Sequence, residues 1–245
     1  MEFFAIIIAG AVAGGFVNGL AGFGTGLFAL GFFLAVLSPL QAVAIIIIMS
    51  IFAGALGLVV IWPTIMPNLR MIIRVTLPGL CAVPIGVWAL SYVSVDILSG
   101  LVAFMLILYG GYFASRKNLP LIKGQYPWLD STVGGIGGFL GGLAALSGAI
   151  PTMWFAMRDM TKQDTRAILQ CYNFTLLLLA AIVLAFRGAY QKDTILLSAI
   201  AIPVATLSAH IGLRLFKRLS TDQFRRLLIA ITLLCGLVMV YRIYA

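Results

Sequence analysis

Ser147 and His210 are the residues most able to do covalent chemistry, because a buried serine beside a histidine can act as nucleophile and base. Ala145-Leu146-Ser147-Gly148 and Ala209-His210-Ile211-Gly212 would supply that pair, and an intramembrane serine protease is the enzyme it would make. The cysteines Cys81, Cys171 and Cys235 stand singly in apolar runs, without CxxC or His-rich spacing. They read as small packing residues, with no metal or redox site and no cofactor. The remaining candidates carry no charge: Asn18, Thr25, Ser50, Ser147, Gln170 and Asn173, set among Gly22, Gly24, Gly26, Gly148 and Ala149. Amides, hydroxyls and glycine-exposed backbone N–H groups suit recognition of a small oxyanion. No Asp, Glu, Lys or Arg falls well inside an apolar run, so a carboxylate-built cation site has no ligands there. His210 is the one titratable side chain expected within a helix core, where it could sense protons.

Composition dictates which elements carry these residues. Of 245 residues, 62% are hydrophobic and 9% are charged. Soluble domains carry ~25% charged residues. A soluble globular protein, a disordered chain and a nucleic-acid binder are therefore excluded. The chain is an all-α membrane protein whose first partner is the lipid bilayer. At ~20 apolar residues per crossing, the apolar runs are 3–37, 40–62, 75–93, 97–115, 131–157, 167–186, 194–213 and 227–244. The first lacks a basic n-region and a cleavage site, so it reads as a membrane segment and not a cleaved signal.

Two halves repeat. Gly14–Ala21 matches Gly137–Ala144 at six of eight positions, an offset of 123. Ser50 then corresponds to Asn173. Further on the offset becomes 126, pairing Ile85-Gly86 with Ile211-Gly212, and Pro84 with His210. The helix starts repeat as well, at Ser38-Pro39-Leu40-Gln41 and at Thr161-Lys162-Gln163-Asp164. The division is 1–115 for the first repeat, 116–130 for a linker and 131–245 for the second repeat.

Segments 3–37 and 131–157 hold mid-segment glycine clusters, Gly22–Gly26 and Ser147–Pro151, that could break a helix. Charge decides what the second does. If 131–157 crosses once, the 16 Lys and Arg split 8 to 8. If it returns to its own side, they split 13 to 3, which the positive-inside rule prefers and which makes the linker cytoplasmic. Each half is then a broken re-entrant helical hairpin plus three transmembrane helices. Three is odd, so the repeats are inverted, a transporter architecture. The tips would meet near the midplane, each followed by a half-helix starting near Gly26 or near Pro151. Helix N-termini present unpaired N–H groups and partial positive charge, an anion site needing no charged side chain.

Against the protease, the stretch equivalent to the Ser147 turn is Gly22-Phe23-Gly24-Thr25, without a nucleophilic serine. The Ser147 and His210 stretches resemble the dyad of rhomboid proteases, but Ala145 stands where those have glycine, and rhomboids lack this duplication.

Gly19-Leu20-Ala21-Gly22-Phe23-Gly24-Thr25-Gly26 resembles the glycine-rich signature of the TauE/SafE family of sulfite exporters, the toluene sulfonate uptake permease family. Pro39 stands where that family has a helix-starting proline, and Gly142–Gly148 resembles the second copy. Thr25 and Ala145 replace usual glycines. The resemblance covers nearly the whole chain. It implies a non-enzymatic, multi-pass inner-membrane permease or exporter of small anions such as sulfite, sulfonates and sulfoacetate. A coupling ion, proton or sodium, and a homo-oligomer are both compatible with it, as is a permease for another small metabolite.

Overall fold

The structure is a computed structural model that describes residues 2–115, 122, 124–220, 223, 227 and 230. The described chain is helical throughout its ordered elements: α1 Glu2–Ala21, α2 Thr25–Phe33, α3 Pro39–Leu90, α4 Val95–Ser115, α5 Pro127–Ala144, α6 Ala149–Ala156, α7 Lys162–Phe186 and α8 Lys192–Arg218. Among the described residues, four stretches are long and apolar enough to cross a membrane: Glu2–Ala21, Gly57–Leu90, Lys162–Phe186 and Lys192–Arg218. Most of the expected last helix, with Cys235, and linker residues 116–121 and 123 lie outside the described residues.

Both glycine clusters break their helices. α1 ends at Ala21, Gly22 and Gly24 take φ of 84° and 97°, and α2 starts at Thr25. α5 ends at Ala144, Ala145 takes φ 56°, and α6 starts at Ala149. Gly22 and Ala145 are equivalent at the offset of 123, so the same turn is made by glycine once and by a strained alanine once. Each short helix folds back along its predecessor. Phe33 returns to Gly10, Ala29 to Gly14, and Pro151 to Gly137. Pro151 is the third residue of α6, not the first. The predicted helix starts differ in the same way: Thr161 accepts the Asp164 amide at 3.1 Å, whereas Ser38 makes no capping bond and leaves the start of α3 to Pro39.

The sequence reading of two helices, 40–62 and 75–93, is corrected: α3 is one helix of 52 residues with Pro63, Pro67, Pro78 and Pro84 inside it. At 1.5 Å per residue it would be roughly 78 Å long if straight, against ~30 Å of hydrocarbon. Its neighbours on α7 show that it doubles back. Gln170 meets Gly54, Asp164 meets Asn68, Leu176 meets Gly79, and Arg187 meets Val87. Along α3 the partner position thus retreats along α7 as far as Asn68 and then advances. Prolines remove backbone donors and bend helices, and Pro63 and Pro67 sit at this reversal.

Close backbone contacts tie the halves together. A Cβ on Gly15 would strike Ala205, and one on Gly138 would strike Gly79. A Cβ on Gly212 would fall 2.8 Å from the Leu20 amide, and one on Gly86 would fall 2.9 Å from the Leu143 amide. Shifting by 123 and 126 residues turns the first contact of each pair into the second. The small residues let α1 lie against α8, and α5 against the later arm of α3, backbone to backbone. Val59, Trp62, Leu207 and Phe186 lie exposed on the outer surface, as a lipid-facing side requires.

Candidate functional site: two broken helices meeting tip to tip

The tips touch. A Cβ on Gly26 would collide with the Ala145 carbonyl, and one on Gly148 would sit 2.6 Å from the Phe23 ring. Around this contact the structure gathers the uncharged residues picked from the sequence. Asn18, Thr25, Ser50, Ser147, Gln170 and Asn173 are each at most 4% exposed. The Asn18 amide donates to Thr25 Oγ1 at 2.7 Å and reaches the Ser50 carbonyl at 3.5 Å. Ser50 spends its own hydroxyl on the Ile46 carbonyl one turn back. The Gln170 amide donates to the Gly54 carbonyl at 2.8 Å, and a Cβ on Gly22 would meet Gln170 Oε1 at 2.6 Å. On the other tip, the Ser147 hydroxyl donates to Asn173 Oδ1.

Two buried acceptors at the first tip, Asn18 Oδ1 and Gln170 Oε1, have no hydrogen-bond partner among the described residues. Neither half-helix has a side-chain cap: Gly24 precedes α2 and Gly148 precedes α6. The Ala149 amide is spent on the Leu146 carbonyl at 3.2 Å, so it is not a free donor as expected from the sequence.

The structure corrects the protease reading. Ser147 is hydrogen-bonded to Asn173 and not to His210, which lies exposed on α8. His210 is therefore not a buried helix-core histidine either. Cys81 is exposed on α3 instead of packed inside, and Cys171 is half-buried. Among the described residues no cluster of three or more metal-ligating side chains occurs.

Three charged residues that the structure buries, Arg166, Asp130 and Arg158, escaped the sequence reading. Arg166, which falls between the apolar runs 131–157 and 167–186, is 4% exposed on the second turn of α7. Its guanidinium donates to the Gly19 and Leu20 carbonyls, both at 2.9 Å, and stacks 4.2 Å from the Phe216 ring centroid. It thus caps the carbonyl end of α1 at the first tip, where a cation meets the negative end of the helix dipole. Its Cγ is the next atom to a Cβ on Gly22, at 3.5 Å. Asp130, assigned to the linker, is fully buried on the first turn of α5. It accepts from Trp154 Nε1 on α6 at 2.8 Å and from Arg74 on α3 at 3.3 Å. That carboxylate pins the second hairpin to itself and to the bend of α3. A signal was present in each case: an ionisable residue at the rim of an apolar run.

The family model for the sulfite exporter TauE/SafE matches residues 6–239, nearly the whole chain. The chain belongs to the TauE/SafE family. Searches of curated proteins and of solved structures each returned no match. TauE/SafE membership and the apolar helices make the chain an integral, multi-pass membrane transporter of the sulfite-exporter type, with a small anion as substrate and the bilayer as its solvent.

Proposed function

We propose that this TauE/SafE transporter moves sulfite, an organosulfonate such as sulfoacetate or a related small organic anion across the inner membrane. It does so by alternating access around a site between the two hairpin tips. The observation that carries the proposal is the tip contact itself, Gly26 on Ala145 and Gly148 on Phe23, ringed by buried uncharged polar side chains. Irregular backbone at membrane depth is tolerated where it is buried in protein or lines a cavity. Two uncapped half-helix N-termini there favour an anion.

The binding residues in this reading are Asn18, Gly22, Gly24, Thr25, Gly26, Ser50, Ser147, Gly148, Gln170 and Asn173, with Ala149 contributing shape more than a donor. Arg166 adds the positive charge that the sequence did not place there. The tips pack shut as described, so solute entry requires them to part. The two repeats, 1–115 and 131–245 about the 116–130 linker, are inverted in this proposal. Supporting it are the recurring glycine contacts, which pair α1 with α8 and its repeat equivalent α5 with the later arm of α3. Rocking one hairpin against the other would expose the site to each side in turn.

The test is counterflow in proteoliposomes against sulfite, sulfate, C2 sulfonates and small carboxylates. Sulfite or sulfonate exchange that is lost in Gly148→Leu is the expected result. Exchange of none of these anions, or equal exchange in the variant, would remove the tip site.

A further inference from the structure

We infer that a second oxyanion site lies at the bend of α3, in an open cavity of about 510 Å³ lined by α3, the linker and the residues after α6. Arg70 and Arg74 of α3 line it together with Arg158 and Asp159. Arg74 is already matched by Asp130. Arg158 Nη1 is not matched: the residue is 8% exposed, and this nitrogen has no hydrogen-bond partner among the described residues.

The surroundings of Arg158 hold its charge in place without using that donor. Its guanidinium carbon stands 5.4 Å from the Trp154 ring centroid and 5.8 Å from that of Tyr126, so aromatic faces stabilise the cation. A buried guanidinium N–H without an acceptor is costly. An anion in the cavity removes that cost, and the planar fork of arginine matches two oxygens of a sulfonate, sulfate or phosphate group. Gly124 and Gln125 of the linker form another wall. The bond from the Ile122 amide to the Met157 carbonyl, at 2.8 Å, holds that wall beside Arg158. The lining residues belong to α3, the linker and the turn after α6, and none to α1, α2, α5 or α7. The site is therefore separate from the hairpin tips and independent of the reading given to them. A free solute anion and the headgroup of an anionic lipid share the chemistry it recognises.

Isothermal titration with sulfate and with methanesulfonate, on the full chain in phosphatidylcholine nanodiscs, counts the sites. Two per chain are expected. Arg158→Gln should lose one, and Arg70→Gln should weaken the same one by about tenfold, the effect of one charge-assisted hydrogen bond. Arg70 is exposed, so its substitution does not threaten the fold. Gly148→Leu should lose the other site. Repetition in phosphatidylglycerol nanodiscs separates the two sources. Selective suppression of the Arg158-dependent site assigns the pocket to a lipid headgroup, and persistence assigns it to the solute. Wild-type binding in both arginine variants overturns the pocket, whereas wild-type binding in Gly148→Leu overturns the tip site alone.

Discussion

The Ile122 amide donates to the Met157 carbonyl at 2.8 Å, joining the chain before α5 to the chain after α6. The segment between them therefore leaves and returns at one end of the molecule. This is the geometry that the 13-to-3 charge split selects over the 8-to-8 split. Lys123→Cys and Lys162→Cys, each in a cysteine-free background, should react with an impermeant maleimide from the same side, the cytoplasm. Labelling from opposite sides would mean that 131–157 spans once, and the inverted repeat would fall with it.

Glycine at the tips should be required for transport and not for insertion. Gly24 has φ 97°, which strains any side chain, and a Cβ on Gly148 would press on Phe23. Gly24→Leu and Gly148→Leu should abolish uptake while the protein remains in the membrane fraction. Gly100→Ala is the control, since nothing lies within 4 Å of a Cβ there. Wild-type uptake in both leucine variants would reduce these glycines to packing residues.

Both helix breaks were legible in the sequence because one backbone requirement leaves the same trace twice. The chain turns through positive φ at Gly22 and at Ala145, and glycines before each turn let helices touch. The course of α3 was not legible. Pro63 and Pro67 suggest a loop by local preference, yet contacts with α7, about a hundred residues away, keep the helix running through its bend. Arg166 and Asp130 were hidden for a related reason. A charge at the rim of an apolar run looks solvated, and the partners that bury it, Gly19 and Leu20 or Trp154 and Arg74, lie on other elements.

Asp130 should matter to stability more than to binding. Replacement by alanine leaves Arg74 and the Trp154 indole without their acceptor inside the hairpin. Removing one partner of such a buried set costs roughly 3 kcal/mol. Asp130→Ala should lower the thermal midpoint in detergent by several degrees, and Asp130→Asn, which keeps an acceptor for Trp154, by less. A midpoint unchanged in Asp130→Ala would show that the network carries no net stability.

Asn173 should affect affinity in a graded way. It accepts from Ser147 at the second tip and is 4% exposed. A hydrogen bond to a charged group contributes ~1.5–3 kcal/mol. Asn173→Ala should therefore weaken anion binding by roughly ten- to a hundredfold, at ~1.4 kcal/mol per decade. Binding should survive, because backbone donors remain. Concentration-dependent uptake reads the shift. Unchanged affinity in both Asn173→Ala and Ser147→Ala would place the ligand elsewhere.

Arg166 separates a structural role from an electrostatic one. Its two bonds to the Gly19 and Leu20 carbonyls, at 2.9 Å each, use the width of the guanidinium fork. Lysine brings the same charge as a point and cannot span two carbonyls equally well. Arg166→Lys should therefore lose part of the cap, while Arg166→Gln loses both the cap and the charge. If the charge helps to hold the anion, KM should rise several-fold in the lysine variant and by about tenfold or more in the glutamine variant, since ~1.4 kcal/mol is a factor of ten in affinity. The difference between the two variants isolates the charge, because both disturb the cap. Equal thermal destabilisation with KM unchanged in both would confine Arg166 to tying α7 onto the end of α1. The anion would then be left to the amides and hydroxyls of the tips.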